Sequence, residues 1–167
     1  MPNRSGFTTF MKTERGFTLI ELMVVMSIIG ILSAVGILFY SGVMKQGRDS
    51  TRQSDLRSIQ SALEQYFADQ FYYPVASSTC INGFFKIGCA LKDPTGNKTY
   101  INVIPGDPRS SPNYCYRAMP ESPCDNSSTN KCTSYKLYAR LENQPAGTYS
   151  CSSVSVYDSY NLEVTPP

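Results

Sequence analysis

Twenty-four consecutive residues, Phe17 to Tyr40 (FTLIELMVVMSIIGILSAVGILFY), carry a single charge, that of Glu21. A helix of that length rises about 36 Å, enough to cross a hydrocarbon layer of ~30 Å with some tilt. A buried core helix would need a large apolar shell around it. The remainder of this 167-residue chain is too small and too polar to supply one. A secretory signal has a shorter apolar region, of about 7–15 residues. The run therefore reads as a membrane-spanning helix. Glu21 is its anomaly, because a carboxylate in a spanning helix costs a few kcal/mol and calls for a partner. No Lys or Arg occurs from Phe17 to Met44. A cation must come from a chain terminus or from another chain, and an α-amino group on Phe17 would serve if the chain were cut before it.

The border of the run reads Lys12-Thr13-Glu14-Arg15-Gly16-Phe17-Thr18-Leu19-Ile20-Glu21. With its short basic leader, Gly16 at the junction, Phe17 after it and Glu21 five residues into the cut chain, the sequence resembles the type IV prepilin family. That family comprises type IV pilins and the pseudopilins of type II secretion. Gly30 falls where the family usually has glycine. The resemblance extends from about Lys12 to Pro74. It implies cleavage after Gly16 by a membrane prepilin peptidase, N-methylation of Phe17, and a role for Glu21 in aligning incoming subunits during assembly. Its implied partners are further copies or related pilins in a filament, the peptidase, the membrane and the pilus assembly machinery. One departure is Leu38, where many members carry proline. Here Gly30, Gly36 and Gly42 punctuate the helix instead, each costing up to ~1 kcal/mol of helix propensity, so the helix either stays continuous or loosens at the glycines. The leader has two candidate starts, Met1 and Met11.

Beyond the apolar run, the composition changes. Ten of the eleven prolines follow from Pro74 onward, and all six cysteines lie between Cys80 and Cys151. Positive charge is nearly balanced across the run, so it does not set the topology. An even number of cysteines suits an oxidising compartment and places this part outside the cytoplasm. Six cysteines admit fifteen pairings. The set favoured here is Cys80–Cys89 and Cys124–Cys132, each clipping a loop, with Cys115–Cys151 joining strands. Their spacings do not match zinc sites, and histidine is absent. Asp93, Asp107, Asp125 and Asp158 lack calcium-loop spacing and read as turn residues. No metal and no cofactor is expected.

From Ser41 to about Gln70 the pattern is an amphipathic helix, with Leu56, Ile59, Leu63 and Tyr66–Phe67 on one face. Its charges, Arg48, Asp49, Arg52, Asp55, Arg57, Glu64 and Asp69, read as a solvated face. Ser134–Glu142 alternates as a strand, with Tyr135, Leu137, Ala139 and Leu141 toward a core. Shorter strands are expected at Lys98–Ile104, Tyr114–Ala118, Ser153–Tyr157 and Asn161–Val164. The fold class is α+β and pilin-like. A long N-terminal helix spans the membrane with its first half, and a small antiparallel sheet packs on its C-terminal half. The expected divisions are a leader at 1–16, a spanning or filament-core helix at 17–40, a continuing amphipathic helix at 41–74, and a disulfide-rich sheet domain at 75–167.

The expected function is that of a structural subunit of a type IV pilus-like filament. The alternatives are a type II secretion pseudopilin, and a minor pilin that binds a surface or DNA. Residues 41–167 hold twelve Lys and Arg against eleven Asp and Glu, so nucleic acid is a possible but unsupported partner. No nucleophile–base pair or phosphate loop is discernible, and catalysis is not expected. The subunit would cross the inner membrane once before assembly. It would then enter an extracellular pilus or a periplasmic pseudopilus.

Overall fold

The computed structural model describes residues 16–109, 114–120, 124–149 and 160–167. The leader residues Met1, Met11, Lys12 and Arg15, the strand expected at Ser153–Tyr157, and Cys151 and Asp158 lie outside the described residues. Helix α1 runs Leu19–Gln70 and continues through Gly30, Gly36 and Gly42 without interruption. The chain divides into two units, one extending to Ser41 and the other running Gly42–Pro167.

In the first unit, the described side chains from Leu19 to Ser41 are all exposed. The stretch Leu19–Ile37 is long and apolar enough to cross a membrane. Its apolar faces find no cover among the described residues, as expected of a helix that is hydrophobic all round.

In the second unit, α1 buries the stripe read from the sequence. Leu56, Ile59, Ala62, Leu63 and Tyr66 are at most 3% exposed. Each large aliphatic side chain buried this way contributes roughly 1.5–3 kcal/mol. The helix stops because Phe71 turns left-handed (φ 63°), with its N–H donating to the Phe67 carbonyl at 2.8 Å. That geometry is normally glycine's. Phe71 is 79% exposed, so packing does not repay the conformation. Phe71→Gly is expected to add about 1 kcal/mol of stability. In thermal melts of the full chain in detergent this is a rise of about 4 °C; an unchanged or lower midpoint would contradict it.

Strands follow in three small sheets. β1 (Val75–Ala76) pairs parallel with β2 (Phe84–Phe85), and β3 (Leu91–Lys92) pairs antiparallel with β4 (Thr99–Ile101). β5 (Cys115–Met119), β6 (Ser134–Ala139) and β7 (Leu162–Val164) form an antiparallel sheet in that order. A single antiparallel sheet was expected; the strands instead fall into three sheets, β4 lies within the strand expected at Lys98–Ile104, and the parallel pair is so short that it carries no periodic signal. Tyr135, Leu137 and Ala139 of β6 are fully buried, and Leu141 just beyond it is 4% exposed. Tyr138, on the opposite face, is also buried, because Cys115 and Tyr160 close a second small cluster over it.

Tyrosine hydroxyls tie helix to sheet. Tyr135 and Tyr73 both donate to the Glu64 carboxylate, at 3.0 and 3.1 Å. Tyr114 donates to Asp55 at 2.7 Å, and Tyr116 to the Pro74 carbonyl at 2.6 Å. Each tyrosine thus buries its ring while its polar tip remains satisfied.

Candidate functional site

Gly16 and Phe17 precede the helix, and Phe17 is 91% exposed. Helix α1 begins with a capping box. Thr18 is its N-cap, and the Thr18 hydroxyl oxygen accepts the Glu21 N–H at 3.2 Å. In return the Glu21 carboxylate accepts the Thr18 N–H at 2.9 Å and the Thr18 O–H at 2.7 Å. Two N–H groups that the first turn leaves without helical partners are thereby satisfied. These donors come from within the chain, and Thr18-Leu-Ile-Glu21 carries the capping-box spacing. The box satisfies the carboxylate's hydrogen bonds but does not neutralise its charge, so a cation remains the missing complement.

The second unit contains a buried ionic cluster where a solvated face had been expected. Arg52 has a side chain only 3% exposed. Its Nε and Nη2 bind Asp107 at 2.7 and 2.9 Å, and its Nη1 binds Asp49 at 2.8 Å and Glu142 at 3.0 Å. Arg48 grips Glu142 with two bonds of 2.7 Å, and Arg109 reaches it at 3.2 Å. Asp49 further accepts the backbone N–H groups of Glu142 and Asn143, at 2.8 and 3.0 Å. Three guanidinium groups thus meet three carboxylates, with bidentate geometry at two of the pairs. The arrangement staples α1 to the segments around residues 107 and 142. Asp107 was read as a turn residue, and it does accept the Arg109 N–H at 2.7 Å; its larger contact is the Arg52 fork. Asp93 and Asp125 are held by local turn bonds, from the Lys98 N–H and the Ser127 N–H respectively, each at 2.9 Å.

Cysteines staple the loops. Cys80 is bonded to Cys89 and Cys124 to Cys132, with Cα separations of 5.6 and 5.2 Å. Cys115 is also disulfide-bonded. Asn126 sits inside the second loop in a left-handed conformation (φ 60°). Its side chain donates to the Tyr73 carbonyl and accepts the Cys132 N–H, both at 2.9 Å, which fastens that loop beside the end of α1. Each short loop closed by a disulfide contributes roughly 2–3 kcal/mol in the chain-entropy picture. Thiol titration of the unreduced, denatured full chain is expected to find no free thiol. Six free thiols in protein taken from the cell envelope would contradict this.

The prokaryotic N-terminal methylation motif matches residues 11–37. The type II secretion system core protein G of Pseudomonas aeruginosa is 32% identical over 115 residues, which are 64% of this chain and 75% of that protein. The chain belongs to the type IV prepilin family. The type II secretion system core protein G of Escherichia coli is 34% identical over 103 residues, covering 57% of this chain and 66% of the relative. The type IV major pilin protein PilA of Myxococcus xanthus is 36% identical over 64 residues, covering 38% of this chain and 29% of the relative. No solved structure matches the chain. Prepilin-family membership supports a pilin-like filament subunit, structural rather than enzymatic, that is anchored in a membrane through its apolar helix before assembly.

For a prepilin, then, the residues from Gly16 to Glu21 stand together at the start of the helix, contiguous in sequence and exposed. Asp49 and Arg52 stand at i,i+3, the spacing of a helical pair, but nothing local in the sequence signals that Asp107 and Glu142 close over them.

Proposed function

We infer that this chain is made as a precursor, cut after Gly16, methylated on Phe17, and assembled through its apolar helix into a pilin-like filament, with residues 42–167 as the filament's surface. The observation that carries the reading is the wholly exposed apolar stretch Leu19–Ile37, which holds one carboxylate near its start. Such a helix suits lipid first and a bundle of like helices afterwards. Before assembly the chain crosses the inner membrane once, with its disulfide-bonded domain outside the cytoplasm. Its partners in this reading are the prepilin peptidase, the assembly machinery and further pilin subunits.

The pseudopilus version of the filament is the second reading. Relatives named core protein G align over 115 and 103 residues, and the fimbrial protein EcpC of Eikenella corrodens aligns over 93, so both kinds of filament stay within the proposal.

Processing is directly testable. Gly16 has no Cβ and lies outside the helix, so a peptidase can approach its backbone closely. Gly16→Ile is expected to leave the precursor uncut in the membrane fraction. Intact mass of the wild-type protein is expected to give a chain beginning at methylated Phe17. A mature terminus at any other residue, or normal processing of Gly16→Ile, would contradict the cleavage assignment.

A further inference from the structure

Beside the ionic cluster lies an open cleft of about 310 Å³, lined by Lys45, Arg52, Arg109, Arg140, Glu142 and Gln144, among others. The one carboxylate among its described lining residues is already committed. Glu142 is held by Arg48, Arg52 and Arg109 within 2.7–3.2 Å. Lys45 and Arg140 are exposed and have no ion-pair partner among the described residues. The Arg109 side chain is 61% exposed and has room for a second acceptor. A surplus of positive charge therefore surrounds a polar concavity whose own anion is spent. Guanidinium and ammonium groups converging in this way suit a phosphate, which offers several anionic oxygens to a fork and a point charge.

Chain connectivity narrows the source of that phosphate. The apolar span ends at Ile37, eight residues before Lys45. Eight residues reach at most ~29 Å even when fully extended. The span thus keeps Lys45 within that reach of the headgroup layer, which adds about 5–7 Å beyond the hydrocarbon on each side. A lipid phosphate is the anion held there at high local concentration, and basic residues beside a membrane surface gain affinity from it.

We propose that this cleft binds the headgroup phosphate of an anionic phospholipid through Lys45, Arg109 and Arg140 while the subunit is still in the membrane. The proposal rests on the membrane-anchored stage described above but not on filament assembly. Its test uses the purified full chain in neutral detergent, where no filament is needed. Native mass spectrometry would follow titration with short-chain phosphatidylglycerol, short-chain phosphatidylcholine and inorganic phosphate. Phosphatidylglycerol is expected to bind at least tenfold more tightly than either of the others. At about fivefold per cation, Lys45→Gln/Arg140→Gln is expected to weaken it roughly thirtyfold. Arg57→Gln/Lys92→Gln, which removes equal charge elsewhere on the domain, is expected to leave it unchanged. Equal retention of the two lipids would overturn the site, as would wild-type binding by Lys45→Gln/Arg140→Gln or an equal loss in the control pair. Inorganic phosphate binding as tightly as phosphatidylglycerol would overturn the lipid assignment in favour of a free-phosphate site.

Discussion

Glu21→Ala is expected to insert, to be cut after Gly16 and to form its disulfides, and yet to yield almost no filament. Insertion survives because removing a charge makes the span more apolar. The helix start weakens by about 1 kcal/mol when the capping box with Thr18 is lost, which a helix held in lipid tolerates. Assembly suffers more. The box satisfies the carboxylate's hydrogen bonds within its own chain but supplies no positive charge. In the proposed filament the α-ammonium of a neighbouring subunit's Phe17 would be the complementary cation, and it would meet Glu21 only at one axial stagger. A pair of that kind selects register even when its net stabilisation is small. Glu21→Gln separates the two roles, because glutamine retains the capping-box geometry and loses the charge. Filament yield relative to the membrane pool is expected to collapse in both variants. Normal yield from Glu21→Gln would show that the cap alone suffices, and normal yield from both would remove Glu21 from assembly.

Arg52→Ala is expected to cost about 3–5 kcal/mol, because it leaves buried carboxylates without their shared cation. Against a typical domain stability of about 5–15 kcal/mol, a loss of that size brings the domain near its threshold. Asp107 loses a bidentate partner at a side chain that is 2% exposed, and Asp49 and Glu142 each lose one bond. Arg52→Lys is expected to lie between the two, since one ammonium cannot serve the Asp107 fork and both other carboxylates together. Chemical denaturation of the full chain in detergent measures both losses. A change below about 0.5 kcal/mol for Arg52→Ala would contradict the cluster's structural role. The same cluster sets an acid limit. The Arg48 hydrogen bonds first, and the one from Arg52 next, hold the Glu142 carboxyl down to about 2 against an ordinary 4.5, with desolvation opposing them. A carboxyl lowered in the folded state stabilises it fully above its unfolded value, and that contribution is lost as the pH falls through the folded one. Stability is therefore expected to decline between about pH 4.5 and 2 in the wild type, with a shallower slope in Glu142→Gln.

The parts of this fold that were legible in the sequence are those governed by period and by hydrophobic length. The apolar run of α1 is a matter of counting, and the stripe from Leu56 to Tyr66 repeats at helical spacing. β6 alternates cleanly because its inner face meets α1. Burial decided by distant residues leaves no such local trace. Arg52 looked like a surface charge because its partners Asp107 and Glu142 lie 55 and 90 residues away. Tyr138 looked outward-facing because Cys115 and Tyr160, which cover it, belong to other segments. The left-handed turn at Phe71 carries no glycine to announce it. Thr18 is legible as a cap from its spacing to Glu21, since threonine followed three residues later by glutamate is a helix-start signature.

The central claim is that Leu19–Ile37 holds subunits together in a filament. Helical reconstruction of filaments sheared from producing cells, compared with cells lacking the chain, tests it most directly. Filaments present only in producing cells, with a core of packed Leu19–Ile37 helices and Glu21 beside a neighbour's terminus, are the expected result. Processed chain found only as dispersed subunits in the membrane of cells expressing the full machinery, or a filament with these helices on its outside, would contradict it.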